Sequence, residues 1–205
     1  MLVLLLLVSA VAWSALGQNV EASAPWLTVY DEAGRPKWEV QMERLVRTSA
    51  GWTGTNVRVT LFLEGSPAVA LQAETIAADR YGREWTLSGR VRGEGEGFAM
   101  ECAQARWAGG LWLEDVEAWG RGVTLRAARV QWRMGQALEL SQGFTSFSGW
   151  SVEFSSGRYV LAAEELVARD VTVRGHGIEL VGQELQAWPR VGKIRVKGAK
   201  LVRSA

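Results

Sequence analysis

The 205-residue sequence is poor in the residues that most chemistry requires. One cysteine, Cys102, excludes an internal disulfide and any thiolate cluster for a metal. One histidine, His176, excludes multi-histidine metal sites and leaves a single candidate imidazole base, placed between Gly175 and Gly177 as if at a turn tip. A formal net charge of +1 supplies no long-range field for nucleic acid, and the eleven tryptophans are not interleaved with a basic patch. Proline is scarce, with four, and no stretch sustains the 3.6-residue period of a core helix. Gly93, Gly95 and Gly97 imitate a phosphate loop, but strand-like sequence follows where a helix N-terminus would be needed. Serines lie in strand-like runs or between Ser141 and Ser156, read as a loop, without a nucleophile elbow. Carboxylates fall on alternating outward positions or in pairs such as Glu164–Glu165, the pattern of a solvated face. No catalytic residue, metal site or cofactor is expected.

What is abundant is glycine, with 23, and short alternating runs of Val, Leu, Trp and Thr in a chain that is 48% hydrophobic. That balance suits an all-β fold with many tight turns. Three stretches share one pattern: Leu71 to Ala78, Met100 to Trp107 and Leu125 to Trp132. Each has apolar or small residues at a first position and at two, five and seven residues beyond it. Extended in both directions, the pattern starts at Val40, Leu71, Met100, Leu125, Phe154 and Leu180, at intervals of roughly 25 to 31 residues, the range of stacked supersecondary repeats. Two residues on come Met42, Ala73, Cys102, Ala127, Ser156 and Gly182; five on come Leu45, Ile76, Ala105, Val130, Tyr159 and Leu185. The step from two to five breaks the period of two, so each strand should bend there before its inward face resumes. Leu87 and Leu140 lie on the returning strands. Cys102, at a small-residue position, reads as a buried structural thiol, and Trp107, Trp112, Trp119 and Trp132 read as core or rim packing rather than sugar platforms.

Residues Leu2–Leu16 form an apolar run interrupted only by Ser9 and Ser14, with no Lys or Arg before it. Its length falls between a signal-peptide core and a bilayer span. An uncleaved single-pass anchor over residues 1–17 is preferred to a removed signal peptide, followed by a linker over 18–25 and a β domain over 26–205. Either reading places the β domain outside the cytoplasm.

The segment from Val29 through Gly34 to Val40 resembles the opening hairpin of the LptC family of lipopolysaccharide export, of the OstA/LptA-like type. Pro67–Ala73 with Trp85–Val91 resembles the family's alanine-containing strand, turn and L-x-G-x-V strand, and Gly177–Gly182 its late glycine-spaced strand. The resemblance implies an incomplete, open β-jellyroll of stacked antiparallel hairpins in two facing sheets, preceded by an N-terminal hydrophobic helix. It implies an apolar trough for the acyl chains of lipopolysaccharide or a related glycolipid, with trough residues Val40, Leu71, Ala73, Leu87, Met100, Leu125, Ala127, Leu140, Phe154 and Leu180. It also implies edge-to-edge docking. An N-terminal edge at Val29 and Gly34 would meet the inner-membrane ABC transporter, and a C-terminal edge at Gly177, Ile178, Leu180, Ile194 and Val196 would meet an LptA-like periplasmic bridge protein. The implied protein is a non-catalytic bridge component held in the inner membrane by one pass, with its bulk in the periplasm. Two alternatives stand beside it: a periplasmic LptA-like protein with a cleaved signal peptide, and a structural β-repeat filled by its own side chains.

Overall fold

The computed structural model describes residues 20–133 and 135–204. They form strands β1 (Val20–Ser23), β2 (Trp26–Tyr30), β3 (Pro36–Gln41), β4 (Arg44–Arg47), β5 (Gly51–Leu63), β6 (Ser66–Asp79), β7 (Glu84–Gly95) and β8 (Phe98–Ala108). These are followed by β9 (Leu111–Gly120), β10 (Val123–Trp132), β11 (Leu138–Phe147), β12 (Trp150–Val160), β13 (Glu165–Gly175), β14 (Ile178–Trp188), β15 (Lys193–Lys197) and β16 (Lys200–Ser204). Among the described residues the helical content is one 3-10 turn, Pro189–Val191, which Gly192 ends in a left-handed conformation.

The chain divides into two compact units: residues up to Glu96 together with Gln104–Gly109, and Gly97–Ala103 together with the residues from Gly110 onward. In the first unit β1 pairs β4, and β4 and β3 lie end to end along one side of β5, with β2 outside β3. β6 and β7 follow on the other side of β5. In the second unit β9 to β14 pair antiparallel in chain order, and β15 and β16 lie end to end along the outer side of β14.

The strands bend where the sequence breaks its period. In β10 and β11, Ala127 pairs Gly143 and Arg129 pairs Ser141, so Ala128 and Gln142 stand opposite each other outside the ladder. The same one-for-one omission recurs at Asp115 with Ala128, Gln142 with Ser155, Ser155 with Asp170, Asp170 with Gln183, and, in the first unit, Asn56 with Glu74. A one-sided bulge would shift the register, whereas one omitted residue on each strand preserves it. On the odd-numbered strands the omitted residue turns left-handed: Asn56 at φ 50°, Asp115 at 52°, Gln142 at 49° and Asp170 at 51°. β7 carries two such residues, Gly89 and Arg90. Asn and Asp tolerate this region better than other non-glycine residues.

Burial follows the two-then-five spacing. Buried residues fall at 71, 73, 76 on β6, at 100, 102, 105, 107 on β8, at 127, 130, 132 on β10 and at 182, 185, 187 on β14. At the first copy Val40 and Met42 are buried and Leu45 resumes the face on a separate strand, the break at Glu43 dividing β3 from β4. Asn56 donates its amide to the Glu43 carboxylate across this break.

Several expectations are corrected. On β12 the inward residues are Val152, Phe154, Gly157 and Tyr159, while Ser156 faces solvent; Gly157 has no side chain to register in an apolar pattern. Residues 141–156, read as a loop, form most of β11 and β12. The expected open antiparallel all-β arrangement is found, consistent with an open jellyroll. The fold class is also corrected on its helix: none among the described residues is long and apolar enough to cross a membrane. Residues 1–17, on which that helix was placed, lie outside the described residues. The single-pass topology, the inner-membrane localisation and the membrane as a partner through that helix therefore find no support in the structure.

Candidate functional site

In the first unit the middle of the inward face is filled by its own side chains, with Leu27, Val29 and Leu45 half-buried on the outer strands. Val40, Leu71 and Leu87 are wholly buried and Ala73 nearly so. Trp38 meets Trp85 edge-on, with ring centroids 6.2 Å apart, and Trp85 stacks on Trp107 at 6.0 Å. The Lys37 ammonium lies 5.5 Å from the Trp107 ring centre. Trp38 follows Pro36 on β3 and Trp85 opens β7, which puts both rings on the inward phase at the turn end of the unit. The indole Nε1 of Trp85 is buried without a hydrogen-bond partner, the sole such side-chain atom among the described residues.

The second unit differs. Met100, Ala127, Leu140 and Phe154 are buried, but Leu125 and Leu180 on the same phase are only half-buried, as are Leu138, Tyr159, Ile194 and Val196. Phe154 fills the middle of this face: a Cβ at Gly143 would lie 2.2 Å from its ring and one at Gly157 3.1 Å from it. Glycines opposite the ring thus leave the room that an aromatic side chain needs. Thr145, the buried polar residue of the unit, donates its hydroxyl to the Thr124 carbonyl at 2.9 Å. Burial raises the Tyr159 phenol above its ordinary range, and the Glu164 carboxylate adds to the effect.

The expected edge residues are dispersed. Val29 lies on β2 opposite Trp38, and β2 pairs only with β3. Gly34, at φ +77°, forms the β2–β3 turn, where the Asp31 carboxylate accepts the Ala33 and Arg35 backbone N–H groups and the Arg35 guanidinium, all at 2.9 Å. These bonds, the Arg35 backbone N–H foremost, hold Asp31 below its ordinary 3.8. Gly177, at φ +79°, forms the β13–β14 turn. Ile178 and Leu180 lie on β14, which β16 covers at that level, pairing Ser204 and Leu201 to them. Ile194 and Val196 lie on β15, which pairs only with β14.

Chemical features are few. His176 packs edge-on against Trp150 at 4.7 Å, in the turn it shares with Gly177. Among the described residues no group of three or more His, Cys, Asp and Glu is placed to hold a metal ion. A recess of about 250 Å³ beside the β10–β11 turn is lined by Gln131, Arg133, Gln136, Ala137, Glu139 and Arg158, a set too polar for an acyl chain. Trp107 and Trp132 are buried, Trp112 half-buried and Trp119 exposed. Sequence reasoning missed the unpartnered Trp85 Nε1 and the buried Thr145 hydroxyl, and neither has a signal in residue type or spacing.

These features define an antiparallel all-β protein with register-matched bends and strands that pair on one side only. Comparison of the sequence with protein-family profiles and with curated proteins gives no match. Among solved structures, one that is similar is LptH, the LptA-homologous periplasmic component of the lipopolysaccharide transport device of Pseudomonas aeruginosa. The two share 9% identity with a TM-score of 0.30, over 67% of this chain and 95% of that one. The expected LptC assignment is not shown; the likeness found is a weak one, to an LptA homologue.

Proposed function

We propose that the protein is a non-catalytic lipid-carrying β-jellyroll of the LptA-like kind, a periplasmic bridge component that shelters the acyl chains of a glycolipid and docks to its neighbours through unpaired strand edges. One observation carries this reading. In the second unit the inward face is apolar on both sides of a register-matched bend, yet Leu125 and Leu180 on that face are left half-buried. An apolar surface so formed can take hydrocarbon, each buried methylene contributing about 0.8 kcal/mol. In the first unit Trp38, Trp85 and Trp107 fill the middle of the inward face, and the half-buried residues of that phase, Leu27, Val29 and Leu45, lie on its outer strands. The trough residues Val40, Leu71, Ala73 and Leu87 then form the core of the first unit, while Leu125 and Leu180 face the lipid over the buried Met100, Ala127, Leu140 and Phe154. Movement along such a path requires a partner that supplies energy. Mass spectrometry of lipid extracted from the purified protein tests the reading: a stoichiometric acylated glycolipid is expected. Protein free of lipid, even after expression in an envelope that makes lipopolysaccharide, contradicts it and favours a β-repeat filled by its own side chains.

A further inference from the structure

The last seventeen residues carry six Lys or Arg and no Asp or Glu, in a chain whose overall net charge is +1. The structure gathers this excess on one edge. Lys193, Arg195 and Lys197 are the exposed residues of β15, and Lys200 opens β16, so four cations follow one another along the outer side of β14. The acidic residues nearby leave most of this charge uncompensated. Glu184 stands opposite Lys197 in the ladder, Glu164 pairs with Arg190, and Glu179 pairs with Arg174. Lys193 lies 5.5 Å from the Trp188 ring, Arg195 stands opposite Gln186, and Lys200 stands opposite Val181.

Aliphatic side chains are exposed among these cations: Val191 at 71%, Val202 at 59%, and Val181, opposite Lys200 in the ladder, at 44%. Val202 sits at the register shift of β16, between the pairs Leu180–Leu201 and Glu179–Arg203, where the ladder does not fix it. No aromatic side chain is exposed there to stack a base, which argues against a nucleic acid. Cations that reach lipid phosphates, alternating with aliphatic groups that enter the headgroup boundary, match the chemistry of an anionic bilayer surface.

We propose that the β15–β16 edge docks on the surface of an anionic phospholipid bilayer, by adsorption and without spanning it. Lys193, Arg195 and Lys200 contact the phosphates, and Val181, Val191 and Val202 enter the interface. The site is independent of the acyl-chain surface, which lies on the inward phase of the strands.

The test uses the full chain with Cys102→Ala and Val202→Cys, labelled at residue 202 with an environment-sensitive fluorophore. The label reports contact at this edge whatever residues 1–17 do. Vesicles of phosphatidylcholine alone are compared with vesicles containing about one quarter phosphatidylglycerol. A blue shift is expected with the anionic vesicles only, and about 0.5 M salt should abolish it. Adding Lys193→Gln, Arg195→Gln and Lys200→Gln should raise the lipid concentration at half-response roughly a hundredfold, each cation near such a surface being worth about fivefold. Unchanged circular dichroism would show that this variant is folded. No shift with anionic vesicles, an equal shift with both compositions, or an unchanged response in the triple variant overturns the proposal. A shift that depends on protein concentration and needs no vesicle also overturns it, and assigns the edge to contact between copies.

Discussion

At Gln142 the backbone of the bend can be probed alone. Its φ is 49°, its side chain is exposed, and it has no ladder partner on either side. The left-handed conformation costs a residue with a Cβ about 1–2 kcal/mol, is nearly free for glycine, and is worst for a β-branched side chain. Gln142→Gly is therefore expected to stabilise the protein by up to about 1 kcal/mol, the flexibility that glycine adds to the unfolded chain removing part of the gain. Gln142→Val is expected to destabilise it by about 1–2 kcal/mol. Ser141, one residue earlier, supplies the control: it is equally exposed but paired with Arg129 and Ser156 in regular strand. There valine should be neutral or stabilising by a few tenths of a kcal/mol, on the order set by strand propensity. Urea unfolding followed by tryptophan fluorescence measures the set, with midpoints compared at constant slope. If Gln142→Val is tolerated as well as Ser141→Val, residue 142 is not left-handed, and the register-matched bend is not the feature that shapes the second unit.

Three further outcomes follow from the packing and the turn. Trp85→Phe removes a buried N–H that lacks a partner, so it should cost less than about 1.5 kcal/mol, whereas Trp85→Ala should cost about 3–5 kcal/mol by opening the Trp38–Trp107 cluster; comparable losses for both would place a hydrogen bond at Nε1. Gly143→Ala should destabilise by about 1–3 kcal/mol, because its Cβ would strike the Phe154 ring, and Phe154→Leu in the same chain should recover part of that loss; strict additivity in the double-mutant cycle would show that the two residues do not compete for space. The Asp31 carboxyl is depressed, so its contribution to the β2–β3 turn is present above the ordinary carboxylate pKa and is lost as pH falls through the lower folded value. Exchange of the Ala33 and Arg35 amides should accelerate only below about pH 4 and lose that dependence in Asp31→Asn, whereas a carboxyl titration midpoint at or above the ordinary value would contradict the turn geometry.

The repeat was legible because each strand buries one face and a single omitted residue shifts the phase of every side chain after it. Ala73 and Ile76, Cys102 and Ala105, Ala127 and Val130, and Gly182 and Leu185 all bracket the break that their spacing implies. The copy at Phe154 was misread because its inward residue after the break is Gly157, and the ring that covers it belongs to Phe154 itself. On the odd strands Asn56, Asp115 and Asp170 carry a residue-type signal for a left-handed turn, whereas Gln142 and Arg90 carry none. The interrupted outer strands were not legible as strand pairs, since no spacing in the sequence joins β3 to β4 or β15 to β16. Their end-to-end placement depends on the length of β5, which spans both, in the first case and on the bend at Gln183 in the second. Spacing alone also could not separate a face closed by tryptophans from one left half-buried, because both use the same two-then-five pattern.

The central claim is that the inward face of the second unit holds hydrocarbon, and site-specific photo-crosslinking in cells that make lipopolysaccharide tests it most directly. A photoreactive residue at Leu125 or Leu180, half-buried on the inward phase, should crosslink to lipopolysaccharide, while one at the outward, exposed Arg126 should not. Crosslinks from Arg126 with none from Leu125 or Leu180 would contradict the account.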